Sequence, residues 1–147
     1  MVMIFVTKII TFEMAHAIDG YHGPCNSIHG HSYELHVTVY CRHNENAYIP
    51  APGFVIDFKE LKSIMEQMVK EILDHKIILS KAYLEKNKQL SGQPNLIVWS
   101  AEPTAENILL FISKLLREKL PQPILLRCMK LYETKNSYAE WASEIDA

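Results

Sequence analysis

The sequence predicts an α+β fold in which an antiparallel sheet of four strands carries two helices on one face. Three observations support this. Apolar, β-branched runs open and close the chain. Two stretches with helical spacing lie together in its middle. The strands on either side of those helices follow one another over short connections, which favours antiparallel pairing. With 147 residues and 48% hydrophobic content, the chain can bury one core and is too apolar for a disordered one. Residues 1–147 are therefore expected to form a single domain.

Met1 to Thr11 is rich in Ile, Val and Phe and reads as a strand. Its extension through Phe12-Glu13-Met14-Ala15-His16 ends on an imidazole. Asp19 to Asn26 holds Gly20, Gly23 and Pro24, so it is a loop that returns Cys25 toward the strand end. From His31 the pattern alternates, with Tyr33, Leu35, Val37 and Val39 on one face and Glu34, His36, Thr38 and Tyr40 on the other, as in a half-buried strand. Asn44 to Gly53 is a turn. After Phe54-Val55-Ile56, Asp57 is placed to cap a helix, with Glu60 three residues on. The apolar spacing of Phe58, Leu61, Met65, Met68, Val69 and Ile72 carries that helix to about Leu73. Lys76 to Glu102 reads as a loop with one short helical turn and room for a short strand at 96–99. Thr104 caps the second helix, whose stripe is Ile108, Leu109, Ile112, Leu115 and Leu116, and Pro121 and Pro123 stop it. Ile124 to Tyr132 is a third long strand ending at Glu133, and Lys135 to Trp141 a fourth.

Composition narrows the function. A net charge of -2 gives no basic footprint for nucleic acid. No apolar run has the length of a membrane span, and Lys8 and Glu13 interrupt the apolar N-terminus, which reads as a strand and not as a signal peptide. Three cysteines, 25, 41 and 128, are an odd and sparse set, which points to free thiols in a reducing, cytoplasmic setting.

The chemistry concentrates at Cys25-Asn26-Ser27-Ile28-His29-Gly30-His31. In an extended backbone, residues two apart point to the same side, so His29 and His31 can reach one metal ion. His16, at the end of the preceding strand, supplies a third imidazole. Three neutral histidines leave a fourth position open, which is the catalytic zinc pattern. Chance placement among seven histidines is the bland alternative, and His22, His36 and His43 show no such arrangement. Cys25 can act as a base or nucleophile beside a metal, or fill the fourth position and close the site; the spacing leaves both open. Asp74-His75 is either an acid/base unit or a polar helix end. Adjacent helical residues diverge by about 100°, so the pair can serve one site only if the helix breaks near Leu73. Glu133 can accept two parallel N–H donors, such as those on the amino-pyrimidine edge of a pterin or guanine ring, or is an ordinary strand-end carboxylate. Thr104 and Glu106 are capping residues at a helix start that can also receive a polar ligand edge.

These motifs, in order, resemble one family. Phe12-x3-His16, Cys25-x3-His29-Gly30-His31, Val55-Ile56-Asp57-Phe58, Leu73-Asp74-His75, Pro103-Thr104-x-Glu106-Asn107 and Glu133-Thr134 match relatives of 6-pyruvoyltetrahydropterin synthase and 6-carboxytetrahydropterin synthase over roughly residues 3 to 141, with a longer 77–100 segment. The resemblance implies the tunnelling fold, assembled into homohexamers as dimers of trimers, with active sites between subunits. It implies Zn2+ on His16, His29 and His31, catalysis by Cys25, Asp74 and His75, and pterin contacts from Glu133, Thr104 and Glu106. The short Cys-x3-His spacing is similar to that of the queuosine-pathway enzymes, which convert 7,8-dihydroneopterin triphosphate to 6-carboxytetrahydropterin, acetaldehyde and triphosphate. The alternatives are 6-pyruvoyltetrahydropterin formation from the same substrate, and a metal-stabilised pterin-binding protein without catalysis.

Overall fold

A computed structural model describes residues 1–23 and 26–145. Its frame is a long hairpin: β1 (Val2–His16) and β2 (His29–His43) pair antiparallel over their whole length, from Val2 opposite His43 to His16 opposite His29. A side-chain period of two makes this register decisive. Ile10, Phe12 and Met14 on β1 share a face with Tyr33, Leu35, Val37 and Val39 on β2, and all are buried. Phe12 and Tyr33 stack with ring centroids 5.2 Å apart. The same face carries His16, His29 and His31 at the end of the hairpin, so the imidazoles continue the row of core residues.

The first helix is capped by Asp57, which accepts the Lys59 N–H at 2.8 Å. It runs as α1 (Phe58–Met65), a π-helical segment Glu66–Lys70, and a last turn α2 (Glu71–Leu73). The π-helical turn takes more residues to complete than a turn of regular helix and so shifts the buried face. Leu61, Ile64, Met65, Val69 and Leu73 are buried, whereas Phe58 is 51% exposed and Ile72 only partly covered. The regular spacing expected through Phe58 and Ile72 is corrected by this turn. Thr104 caps α4 (Ala105–Lys119), accepting the Asn107 N–H at 3.2 Å. Ile108, Leu109, Ile112 and Leu116 of α4 join the helix-one residues and the β1–β2 face in one core.

The expected four-stranded sheet is corrected to a mixed six-stranded one, in the order β4-β3-β1-β2-β5-β6. The four long strands are antiparallel, with β5 (Leu125–Thr134) beside β2 and β6 (Ser137–Ala142) at the edge. The difference lies in the 76–99 segment. There β3 (Lys76–Ser80) runs parallel to the end of β1, and β4 (Leu96–Trp99) runs parallel to β3. Between them lie α3 (Lys81–Lys86) and a 3-10 turn, Lys88–Leu90. Ile77-Ile78-Leu79 is too short an apolar run to declare itself a strand, and becomes one by pairing with Ala15 and His16. Among the described residues, no helix is long and apolar enough to cross a membrane.

Candidate active site

The hairpin register sets His16 directly across from His29, and His31 across from Met14. One nitrogen from each of the three rings lies within 4.8 Å of the other two, the one such group of potential metal ligands among the described residues. The rings stand at steep angles to one another, with centroids 4.6 Å (His16–His29), 4.9 Å (His29–His31) and 5.2 Å (His16–His31) apart.

Hydrogen bonds on the far side of two rings fix what faces inward. His16 Nδ1 donates to the Pro103 carbonyl at 2.6 Å, and His29 Nδ1 donates to the Ser27 carbonyl at 2.8 Å. A carbonyl only accepts, so both protons sit on Nδ1 and each neutral ring turns an Nε2 lone pair inward. Those two Nε2 atoms are 3.1 Å apart. Two lone pairs at that distance repel unless a proton or a cation lies between them. His31 Nε2 is buried without a hydrogen-bond partner; the Glu133 carboxylate, at 3.8 Å, is beyond hydrogen-bond reach. An orphaned ring nitrogen and two opposed lone pairs are the donor set of a metal ion, and the carbonyl bonds are the outer-shell contacts that orient metal-binding histidines.

Electrostatics agree. Burial pushes the pKa of His16 below the usual histidine value, against the Pro103 carbonyl and the Glu133 charge, which raise it. Burial likewise lowers that of His31, opposed by Glu133 and reinforced by His29. Burial thus favours the neutral, ligating form of His16 and His31.

Two recesses flank the histidines. One, of about 390 Å³, is bordered by His16, Thr104, Glu106, Glu133 and Tyr138. Glu133 reaches it because β5 alternates Met129 and Leu131 into the core and the β5–β6 register then slips between Tyr132 and Thr134. A slip of this kind re-aims a side chain. The other recess, of about 450 Å³, is bordered by Glu13, His31, Ser32, His75 and Lys76. Glu133 and His75 thus border different recesses, one touching His16 and the other His31.

Asp74 and His75 do face one another. The helix ends at Leu73, Asp74 is extended, and His75 takes a left-handed φ of 59°, uncommon for a residue with a Cβ and concentrated at functional sites. Asp74 Oδ1 accepts the Glu13 N–H at 2.8 Å, His75 N–H donates to the Glu13 carbonyl at 2.6 Å, and His75 Nδ1 lies 3.0 Å from Asp74 Oδ2. The pair is clamped to β1 on both sides. Partial burial raises the Asp74 pKa, but the Glu13 N–H and the contacts with His75 outweigh it and hold the carboxyl below its usual range. Cys25 lies outside the described residues. His36 and His43 stand apart from the cluster, the first paired with Glu34 at 3.1 Å and the second bonded to the Ala47 carbonyl.

The Pro103 and Ser27 carbonyls were not foreseeable, since backbone acceptors leave no mark on a sequence. Tyr138 was missed as well; it stacks on Tyr132 with ring centroids 4.5 Å apart and forms one wall of the smaller recess.

Comparison with known proteins accords with this geometry. The family model described as 6-pyruvoyl tetrahydropterin synthase matches residues 5–144. The chain is 31% identical over 142 residues to a protein of Rickettsia typhi named 6-carboxy-5,6,7,8-tetrahydropterin synthase, covering 94% of this chain and 99% of the other. It is 31% identical over 123 residues to a Pyrococcus furiosus protein named dihydroneopterin monophosphate aldolase, covering 84% of this chain and 83% of that one. The structure of 6-pyruvoyl tetrahydropterin synthase from Caenorhabditis elegans superposes with a TM-score of 0.68 at 19% identity, covering 98% of each chain. With a family model spanning nearly its full length, the chain belongs to the 6-pyruvoyl tetrahydropterin synthase family.

Proposed function

We propose that the protein is a zinc-dependent lyase that converts 7,8-dihydroneopterin triphosphate and water to 6-carboxy-5,6,7,8-tetrahydropterin, acetaldehyde and triphosphate. The observation that carries this is the set of inward lone pairs on His16 and His29, completed by the orphaned His31 nitrogen. Family membership and the name of the Rickettsia relative point to the pterin substrate and product. A zinc ion on three imidazoles supplies a Lewis acid that stabilises negative charge on substrate oxygens. Glu133, at the edge of the smaller recess, would accept the paired N–H donors of the pterin ring and so direct the side chain toward the histidines. Thr104 and Glu106 line the same recess. Cys25 would take a proton from substrate carbon. His75, held by Asp74, would return one, because its imidazole can carry a proton near neutral pH.

His75 is largely exposed and borders a different recess from Glu133. This arrangement suits a site completed between subunits, as in the proposed homohexamer built as a dimer of trimers, where the ring anchor and the acid/base pair come from different copies. The strand edges β4 and β6 would also be shielded by assembly.

The test is incubation of zinc-loaded protein with 7,8-dihydroneopterin triphosphate, following acetaldehyde, triphosphate and reduced-pterin absorbance. Acetaldehyde with 6-carboxytetrahydropterin supports the proposal. Triphosphate without acetaldehyde marks 6-pyruvoyltetrahydropterin formation. A parallel arm offers dihydroneopterin monophosphate, because the Pyrococcus relative is named for an aldolase acting on it. Pterin binding without turnover of either substrate marks a binding protein and overturns the proposed lyase.

A further inference from the structure

The 76–99 segment does more than widen the sheet. Its elements build a small second cluster on the start of the β1–β2 loop, where Ala17, Leu79 and Tyr83 are buried together with Leu84 and Leu90 packed against them. The Tyr83 ring fills this cluster, while its hydroxyl donates to the Asn26 carbonyl at 2.8 Å. Tyr83 is itself held at both backbone ends: its N–H donates to Ser80 Oγ, and its carbonyl accepts from Asn87 Nδ2, each at 3.0 Å. Nearer the start of the loop, Lys86 Nζ lies 3.0 and 3.3 Å from the two carboxylate oxygens of Asp19. The Asp19 N–H donates to Glu102 at 2.7 Å. α3 therefore grips the loop at both ends.

Asn26 occupies a sensitive position. It follows Cys25 in sequence and precedes Ser27, whose carbonyl orients His29. We propose that Tyr83 is a positioning residue for the reaction, its hydroxyl fixing, through the Asn26 carbonyl, the peptide that leads to the Ser27 carbonyl orienting His29. This inference rests on the function proposed above. The Ser27 carbonyl is the outer-shell contact of His29, and loss of such contacts weakens metal binding or activity by roughly ten- to a hundredfold. Tyr83 acts on it from one peptide away, which sets its effect at the lower end of that range.

The test uses Tyr83→Phe, which keeps the ring in its cluster and removes only the hydroxyl. Zinc affinity, read by competition with a chromophoric chelator in substrate-free protein, should weaken about tenfold. In the turnover assay kcat should fall about tenfold with KM within about twofold, the pattern of lost positioning and not of lost substrate binding. Leu90→Ala, which loosens the same cluster without touching the Asn26 carbonyl, should lower the melting temperature and leave zinc affinity intact. Unchanged zinc affinity in Tyr83→Phe overturns the inference. So does an equal weakening in Leu90→Ala, or a rise in KM at unchanged kcat. If the wild-type protein turns over no pterin substrate, the proposed function fails, and the chelator competition alone decides whether Tyr83 holds His29 through the loop.

Discussion

His16 and His29 face each other through Nε2 atoms 3.1 Å apart while each donates its Nδ1 proton to a backbone carbonyl. Neither ring can relieve the repulsion by changing tautomer without losing its carbonyl bond. The fold therefore holds an arrangement that a cation between the rings would stabilise, and metal binding should be coupled to folding.

Removal of the metal is the direct check. A ligand present at a hundredfold its dissociation constant stabilises the folded state by about 2.7 kcal/mol. For a domain of this length that corresponds to a melting temperature higher by about 5–10 °C. Dialysis against a chelator should lower the melting temperature by that order, and zinc should restore it. In His29→Ala neither chelator nor zinc should shift it, as calorimetry with and without zinc will show.

The same site gives a pH dependence with a definite sign. Burial lowers the pKa of His16 and His31 below 6.5 in the folded chain. Between the unfolded value and those lowered values the unfolded chain binds more protons, so metal-free protein should lose stability as pH falls below about 6.5. Above that pH the contribution is constant. Chemical denaturation of metal-free protein from pH 8 to pH 5 should show the decline. His31→Phe, which removes one of the two groups, should flatten it.

Most of the frame could be read from the sequence, because period-two alternation from His31 to Tyr40 and helical spacing around Ile108 each admit one structure. The imidazole cluster followed from the same logic: once β1 and β2 pair, residues two apart on one face converge. Three things were hidden. The π-helical turn at Glu66–Lys70 breaks a periodicity that is otherwise regular. β3 is a strand because β1 offers a partner, and pairing across some sixty residues leaves no local signal, whereas the strand at 96–99 could be read but its parallel partner β3 could not. The turn that joins Asp74 to His75 needs a left-handed backbone at a histidine, where residue preference points elsewhere.

That turn predicts separable effects at Asp74. Asp74→Asn keeps an oxygen for the Glu13 N–H but loses the carboxylate beside His75, so turnover should fall at least tenfold with little change in stability. Asp74→Ala also strands the Glu13 N–H and should cost about 1 kcal/mol further in denaturant unfolding. Because the folded-state pKa of Asp74 is lowered, its contribution to stability is present above the ordinary carboxylate value of 3.8 and is lost as pH falls below it. The wild type should therefore lose stability on going below pH 4, and Asp74→Asn should lose less.

Cys25 and the histidines should separate cleanly. If the thiol is a base and not the fourth ligand, Cys25→Ala should retain zinc and pterin binding while losing most turnover. Zinc content by atomic absorption and pterin binding by fluorescence read the first two. Loss of zinc in Cys25→Ala, with activity surviving in metal-refilled protein, would make the sulfur a ligand and the site a closed one.

Glu133 offers a charge test that metal binding alone does not predict. Its carboxylate, 3.8 Å from His31 Nε2, raises the proton affinity of both His16 and His31 while bordering the recess proposed for the pterin. Glu133→Gln removes that charge at nearly constant shape. The two imidazoles should then be neutral to lower pH, but a carboxylate attracts a divalent cation more strongly than a proton, so zinc should be released at higher pH than in the wild type. Pterin binding should weaken by more than tenfold, because a neutral amide cannot accept two parallel N–H donors as a carboxylate does. Impaired zinc retention together with impaired pterin binding places Glu133 at both the ring and the metal. Impaired zinc retention with pterin binding intact would instead make the carboxylate a support for the histidines and take the ring anchor away from it.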